Sequence, residues 1–493
     1  MTDSNRTRIA YIRESTLGTT PGSPQTRLAR ITGESLSFNV ANSISDELRS
    51  DRMVPDLVQT GAQNSGDLNF ELSYPIAYTF CDEFIAAALL GAWVNTNERT
   101  NFESTTQLSG LVGATGVLTV TTGTAFAAND VCLLSGFANT VNNGVFVATG
   151  GSATTAVFGA GAGMTNETPG VGARIKRVGV QGASGDIVAA VSPNRLTSTT
   201  LNFTTLGLQV GQWIKIGGAA VATQYNTTAL NTWVRVTSIA ANALGLDNVP
   251  SGWAGDSGTS KTIQLIYGDV IENGTTLQSF TIEKGFLAQT TPNYAVYRGM
   301  CPSNLSLNIA ANAILTGGLS FLGTTSAIST TALTANPTAA SLENVFNAVA
   351  NVGRIAEGGT LVTGPNFIRN VQVTLNNNLR EQPAVGVLGL SGVGTGRCEI
   401  SGTLEAYFGD ATLYTKYVNG TETSLNIRLT TTSPTGVTGS RCVVITFPRI
   451  KYESGTIVAS GANQDVVAQL GFRAIRDANT VSQIQIDRFD YVP

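Results

Sequence analysis

Alternating segments of this chain occur twice in the same order, and any fold it adopts has to accommodate that duplication. In the first copy Leu36, Phe38 and Val40 alternate with small polar residues, and the period returns in Leu68, Phe70, Leu72 and Tyr74. A period of two marks strands with one buried face. A helix is expected over 79–91, where Phe80, Phe84, Ala87 and Ala88 share one side, Asp82 and Glu83 occupy the first turn, and Gly91 closes it. The second copy repeats the sequence of events: RNVQVTL at 369–375, a loop over 376–396, the strand RCEISGTLEAYF and the short helical stretch GDATLYTKYVNG. NGTTLQSFTIEKGF from Asn273 then matches NGTETSLNIRLTT from Asn419, with Phe280 and Ile282 standing near Leu425 and Ile427. Finally, two strand–turn–strand segments end in Leu319 and Phe321 or in Leu470 and Phe472. One such match would mean little, because alternating strands resemble each other; several in one order argue for duplication.

The first copy is interrupted. Residues 98–261 are poor in charge and rich in Gly, Thr and Ala, and they carry a weaker repeat, NDVCLLSGFANTVNNGVFVATG against GQWIKIGGAAVATQYNTTALNTWVRVTS. The expected organisation is therefore a discontinuous first unit (1–97 with 262–325), two small inserted all-β modules (98–180 and 181–261), a Thr/Ala-rich linker (326–360) and a second unit (361–493). Long additions to a loop cost little, so the modules are expected to be peripheral and dispensable for assembly. A short helix is expected over 341–353.

Composition narrows the function. The chain has 493 residues, too many for one ordinary domain, with 54 Gly and only 13% charged residues. It has no His, which removes the commonest general base and metal ligand. A net charge of -4 opposes general attraction to nucleic acid or anionic membrane. The five cysteines (Cys81, Cys132, Cys301, Cys398, Cys442) lack CxxC spacing; all but Cys301 lie in apolar or alternating stretches and read as reduced core residues. The polar start MTDSNRTRIAYIRES shows no secretory signal, and the longest apolar run, 84–94, is too short to span a bilayer. GAGAG at 159–163 and GVGTGR at 392–397 lack the features of phosphate-binding loops and read as turn glycines. No nucleophile motif or acidic calcium loop is present. Asp82 and Glu83 are explained by the helix's first turn. The residues thus point to no catalytic, cofactor-binding or metal-binding group, and the expectation is not an enzyme.

One stretch defies the low charge of the rest. Between the first two strands lie Asp46, Glu47, Arg49, Asp51, Arg52 and Asp56, with Met53, Val54, Leu57 and Val58 beside them. Loops this long in compact proteins are functional or disordered, and a charge-mixed loop with an apolar end suits docking on another subunit. Its counterpart, 376–396, holds Leu379, Arg380 and Glu381 before a Gly/Leu/Val run.

YIRESTLGTTP, RITGESLSFN, SDELRSDR, SGDLNFELSY, SFTIEKGF, NFIRNVQVTLNNNLREQPAVG, ANQDVVAQLGF and IQIDRFDYVP together resemble tail tube proteins of long-tailed bacteriophages. The resemblance covers most of the chain outside residues 98–261, and it leans towards a non-contractile tail. It implies a mainly β structure of two tandem tail-tube folds, each an antiparallel sandwich with a flanking helix. It further implies self-association into trimeric, pseudo-sixfold rings stacked as a virion tail tube, made in the host bacterial cytoplasm. Tape measure, terminator or tip proteins would be partners, and double-stranded DNA would pass the lumen without tight binding or membrane insertion of this chain. On the same resemblance, the long loops reach the neighbouring ring through Asp46, Glu47, Arg49, Asp51, Arg52, Met53, Val54, Asp56, Leu379, Arg380 and Glu381. Because the two loops differ, alternate contacts would fix a threefold register. A surface β-adhesin, with the inserted modules binding glycan or protein, is the alternative function.

Overall fold

The computed structural model describes residues 3–102, 104–434, 436–459 and 461–493. Among the described residues, fourteen of the eighteen strands of the large sheet recur in matching order in the two tandem units. In the first unit these are β1 (Thr7–Arg13), β2 (Ser37–Ile44), β3 (Leu57–Glu71), helix α1 (Phe80–Ala88), β4 (Phe280–Phe286), β5 (Asn293–Ala310), β6 (Thr316–Gly323) and β7 (Thr325–Ser329). Their counterparts are β8 (Val352–Glu357), β9 (Ile368–Asn376), β10 (Glu399–Tyr407), helix α2 (Thr412–Val418), β11 (Thr423–Thr432), β12 (Ser440–Ala459), β13 (Val466–Ala474) and β14 (Gln485–Val492).

Each unit has two antiparallel layers that share one long strand. β5 pairs with β4 and β7 in its first half and with β6 in its second, and a bulge between Pro302 and Asn304 marks the bend. β12 does the same with β11, β14 and β13, bending between Tyr452 and Ser454. β1 completes one layer on β4 as β8 does on β11. On the other side β6 pairs with β3 and β3 with β2, just as β13 pairs with β10 and β10 with β9. The register agrees residue by residue: Phe321 lies opposite Gly66, and Phe472 opposite Gly402. A side chain at Gly402 would meet the Phe472 ring at 2.4 Å, so this glycine makes room for the aromatic ring beside it.

The alternating apolar residues close between the layers. Leu36, Leu68, Phe70, Ile282, Leu319 and Phe321 share one core with Val373, Leu404, Ile427, Leu470 and Phe472, so the two units pack as one body. α1 supplies Phe80 and Phe84, whose rings sit against Tyr11 and Phe280. The units also join edge to edge, because the second half of β5 pairs with β9 from Asn304↔Asn376 to Ala310↔Asn370. One layer therefore runs without a break through β2–β3–β6–β5–β9–β10–β13–β12.

The helix expected over 341–353 does not form. Val345 bridges Ser73, Asn347 bridges Ile314, and Phe346 is buried in the core, so the segment threads through in extended form and enters β8 at Val352. Leu342, Val345, Phe346 and Val349 carry a helical spacing, but the unpaired edges of Ser73 and Ile314 offer it backbone partners that a helix would leave unfilled. Cys301, outside the expected core cysteines, is buried as well; Cys398 is half-buried, and all five are free thiols.

The insert is itself duplicated. Asn143 receives the Phe137 amide and donates to the Phe137 carbonyl, while Asn231 makes the same two bonds with Tyr225. The strand Arg174–Gln181 is common to both halves, pairing first with Asp130–Ser135 and Glu98–Thr100 and then with Gln264–Ile266. It runs across the 180/181 division expected from sequence.

The insert does not hang free from a loop but packs on the second unit. Trp213, Ile214, Val234 and Leu265 share a core with Cys442 and Val444 of β12 and with Phe489 and Tyr491 of β14. Trp213 donates through Nε1 to Thr446 Oγ1 at 2.9 Å, and its backbone amide donates to Asp487 Oδ1 at 3.2 Å. The ring of Trp233 meets Phe489 edge-on at 4.8 Å.

Candidate assembly site

Two arms project from the continuous layer. Pairing of β2 with β3 persists to Ile44↔Leu57, and Ser45 then donates to the Asp56 carbonyl at 3.0 Å, so the charged stretch forms the tip of a long hairpin. At that tip Asp46, Glu47, Arg49, Asp51, Arg52, Met53, Val54 and Asp56 are all exposed. Arg49 grips Asp51 through Nη2 at 2.8 Å, and this pairing lowers the Asp51 carboxyl. Asp51 Oδ1 also accepts the Met53 amide at 3.2 Å, and Asp56 Oδ1 accepts the Leu57 amide at 2.7 Å. Arg52 sits in the left-handed region at φ 61°. These bonds hold the tip as a compact knuckle.

Apolar side chains run down the same arm. Ile44, Leu48, Met53, Val54, Leu57 and Val58 are all exposed. Leu48, which the sequence reading left out of the contact set, is the most exposed of them. Its signal was its position inside the charged run. Contiguous exposed apolar surface of this kind marks an interaction site.

The second arm, strands Arg380–Pro383 and Leu390–Gly394, leaves Val385, Val387 and Leu388 exposed at its turn. Arg380 donates to the Thr395 carbonyl, and Glu381 accepts from Gln63 Nε2 of the first arm at 2.6 Å, bracing the arms against each other. Leu379 packs towards a small core of Cys301, Leu322, Leu390 and Val393.

A buried ionic cluster in the body has no sequence signature. Lys176 Nζ, fully buried, pairs with Asp269 and with Asp490 Oδ2 at 2.7 Å, and it lies 3.5 Å from Glu98 Oε2. Arg174 holds Asp490 through two nitrogens at 2.9 and 3.1 Å. Arg488 reaches Asp82 and Asp269, each at 2.6 Å, with its guanidinium 4.3 Å above the Trp93 ring. Burial pushes the Asp490 carboxyl up, but Arg174, Lys176 and Arg488 hold it well below the usual range. The cluster ties α1, the insert and β14 together.

Nearby, burial raises the Glu272 carboxyl to about 7 from an ordinary 4.5. Its folded-state pKa lies above the unfolded one. The stabilisation is therefore complete below about pH 4.5 and is lost as pH rises through 7. Glu272→Gln should flatten this decline between those pH values by about 1 kcal/mol, allowing for solvent screening of its partly exposed carboxyl. Thermal melts at a pH series test this; an unchanged slope counts against it.

The glycine stretches have structural roles: 159–163 forms a short turn, and Gly392 and Gly394 lie in the second arm. Asp82 is tied to Arg488 and Glu83 to Arg27. Among the described residues no cluster of acids and cysteines has metal-site geometry, and no helix is long and apolar enough to cross a membrane.

Tandem sandwiches joined in one layer, with arms rising from it, are the architecture of a structural β-protein built to assemble. The sequence matches the family described as phage tail tube protein over residues 4–205 and 172–474, and the chain belongs to that family. It is thus a structural protein of the bacteriophage tail tube. No curated protein matches the chain in sequence.

Proposed function

We propose that the chain is a tube subunit whose copies close into rings of three, pseudo-sixfold in domains, and that the rings stack into the conduit for genome delivery. The observation that carries this is the edge-to-edge joint of β5 with β9. Two successive tube domains already continue a single layer, as neighbours around a ring must. The exposed face of that layer presents the neutral polar groups Asn39, Asn69, Ser306, Gln372, Thr374 and Thr403, with Asp67 and Glu405 beside them, and its Arg473 is held by Glu453, so the face offers phosphates little unpaired positive charge. Tape measure protein before ejection and double-stranded DNA during it are the passengers this reading assigns, with terminator and tip proteins at the ends.

Electron microscopy of the purified protein tests it. Stacked rings with a central hole, three chains to a ring by mass, are expected; a protein that stays monomeric at high concentration and with tail partners would overturn it.

The arms are proposed to contact the next ring. Replacing residues 46–55 with an Asn-Gly turn, which keeps Ser45 opposite Asp56 across a two-residue hairpin, should leave single rings and abolish stacks. Normal tubes from that variant would sink this role for the arm.

A further inference from the structure

We propose that copies of the chain join by strand pairing between the second half of β12 and β2 of the neighbouring copy, in the register already present in the joint of β5 with β9. This rests on the ring-forming reading above and adds which edges meet and how.

The repeat supplies the template. Phe321 corresponds to Phe472 and Gly66 to Gly402, and the bulges of β5 and β12 coincide. Carrying this through the ladders sets Ser306 against Thr456 and Leu307 against Ile457 as equivalents. Likewise Thr374 is equivalent to Ser37, and Val373 to the residue at 36, Leu36, which the β2–β3 register places opposite Gly66. Within the chain Ser306 faces Thr374 and Leu307 faces Val373. Between copies, Thr456 should therefore face Ser37 of the neighbouring copy, and Ile457 its Leu36.

Neither edge has a strand paired on its outer side among the described residues; at the start of β2 the Leu36 amide donates to Glu34 Oε2 and its carbonyl accepts from the Tyr297 hydroxyl, contacts that the neighbouring strand would replace or share. Among the described residues β2 pairs with β3 alone, and residues 454–459 of β12 pair with β13 alone. Exposed edges are ordinarily protected by charge, proline or a covering element. Here SFNVANSI on β2 and SGTIVA on β12 contain neither charge nor proline. Burial points the same way. Leu307, covered by β9, is 5% exposed, while its equivalent Ile457 is 38% exposed. A strand laid along β12 as β9 lies along β5 would cover it. Since the two edges lie at opposite ends of one layer, each copy offers one to either neighbour. Such a head-to-tail contact closes into a ring when the rotation allows.

Paired cysteines read the register. Ser37→Cys with Thr456→Cys in one chain should give, on oxidation of assembled protein, disulfide-linked chains that reduction dissolves. Each single variant, and Ser37→Cys with Val458→Cys, two residues out of step on the same face, should give little. Assembled rings in which the first pair stays unlinked, or the second links more readily, would overturn the register and leave the tube reading standing. Failure of the unmodified protein to form rings would overturn both. Ile457→Pro, whose amide faces away from β13 and so removes a donor at the open edge alone, should yield folded protein that does not close; rings of normal yield from it would also overturn the pairing.

Discussion

Lys176→Met is expected to destabilise the subunit by about 3–5 kcal/mol, the range for breaking a buried ion pair from one side. Its ammonium is fully buried among Asp269, Asp490 and Glu98, and methionine would leave Asp269 to Arg488 and Asp490 to Arg174, one positive charge short. The pH dependence distinguishes this from a packing defect. Asp269 and Asp490 have folded pKa values depressed below their unfolded ones, against the opposing push of burial. Their stabilisation is present above the usual carboxylate range and lost as pH falls through the folded values. The deficit of the variant should thus be full at neutral pH and shrink in acid. Lys176→Met with Asp490→Asn, which removes charge of the opposite sign, should recover part of it. Denaturant unfolding across pH measures both; a deficit independent of pH would show that shape, not charge, is at stake.

Trp213→Ala should cost about 3–5 kcal/mol, as truncation of a buried tryptophan does, and the loss should fall on one seam. Trp213 is 2% exposed and belongs to the core that the insert shares with β12 and β14. Removing the ring empties that core and strips Thr446 of its indole donor. The expected result is earlier proteolysis within residues 98–261 while the paired layers stay protected from hydrogen exchange. Even loss of protection through both tube units would show that the insert and the body unfold as one. The same geometry changes what removal of residues 98–261 would do. It would uncover Val444 and Phe489 and leave Asp269 and Asp490 without Lys176, so the shortened chain should aggregate instead of forming tubes.

Much of the tube fold was legible because its signals are local. The match of Leu319 and Phe321 with Leu470 and Phe472 is the register found in the sheets, whereas Ile282, opposite Tyr297, corresponds to Leu425, opposite Phe447, two residues from the match expected with Ile427. The helix closed by Gly91 runs over Phe80–Ala88, where its apolar face and first-turn acids placed it. The expected helix over 341–353 failed where local spacing competed with long-range pairing to Ser73 and Ile314. The ionic cluster was out of reach for a related reason: Asp82, Glu98, Lys176, Asp269 and Arg488 meet only after the insert has folded back. Asp82 and Glu83 read correctly as first-turn acids, yet nothing local told that one would meet Arg488 and the other Arg27. For the arms, charge contrast revealed the tip, but the contact between Gln63 and Glu381 joins two loops far apart in sequence.

The joint of β5 with β9 also bears on how quickly a ring could appear. Every association between free bodies loses translational and rotational freedom worth roughly 4–15 kcal/mol. A covalent tether replaces the concentration of a partner with a local one, in the millimolar range for short links. In the proposed ring of three two-domain chains, every second joint around the circle would be formed during folding, before any encounter between molecules. Nucleation then needs three bodies to collide productively where single-domain subunits would need six, so the threshold concentration for starting a tube should fall steeply.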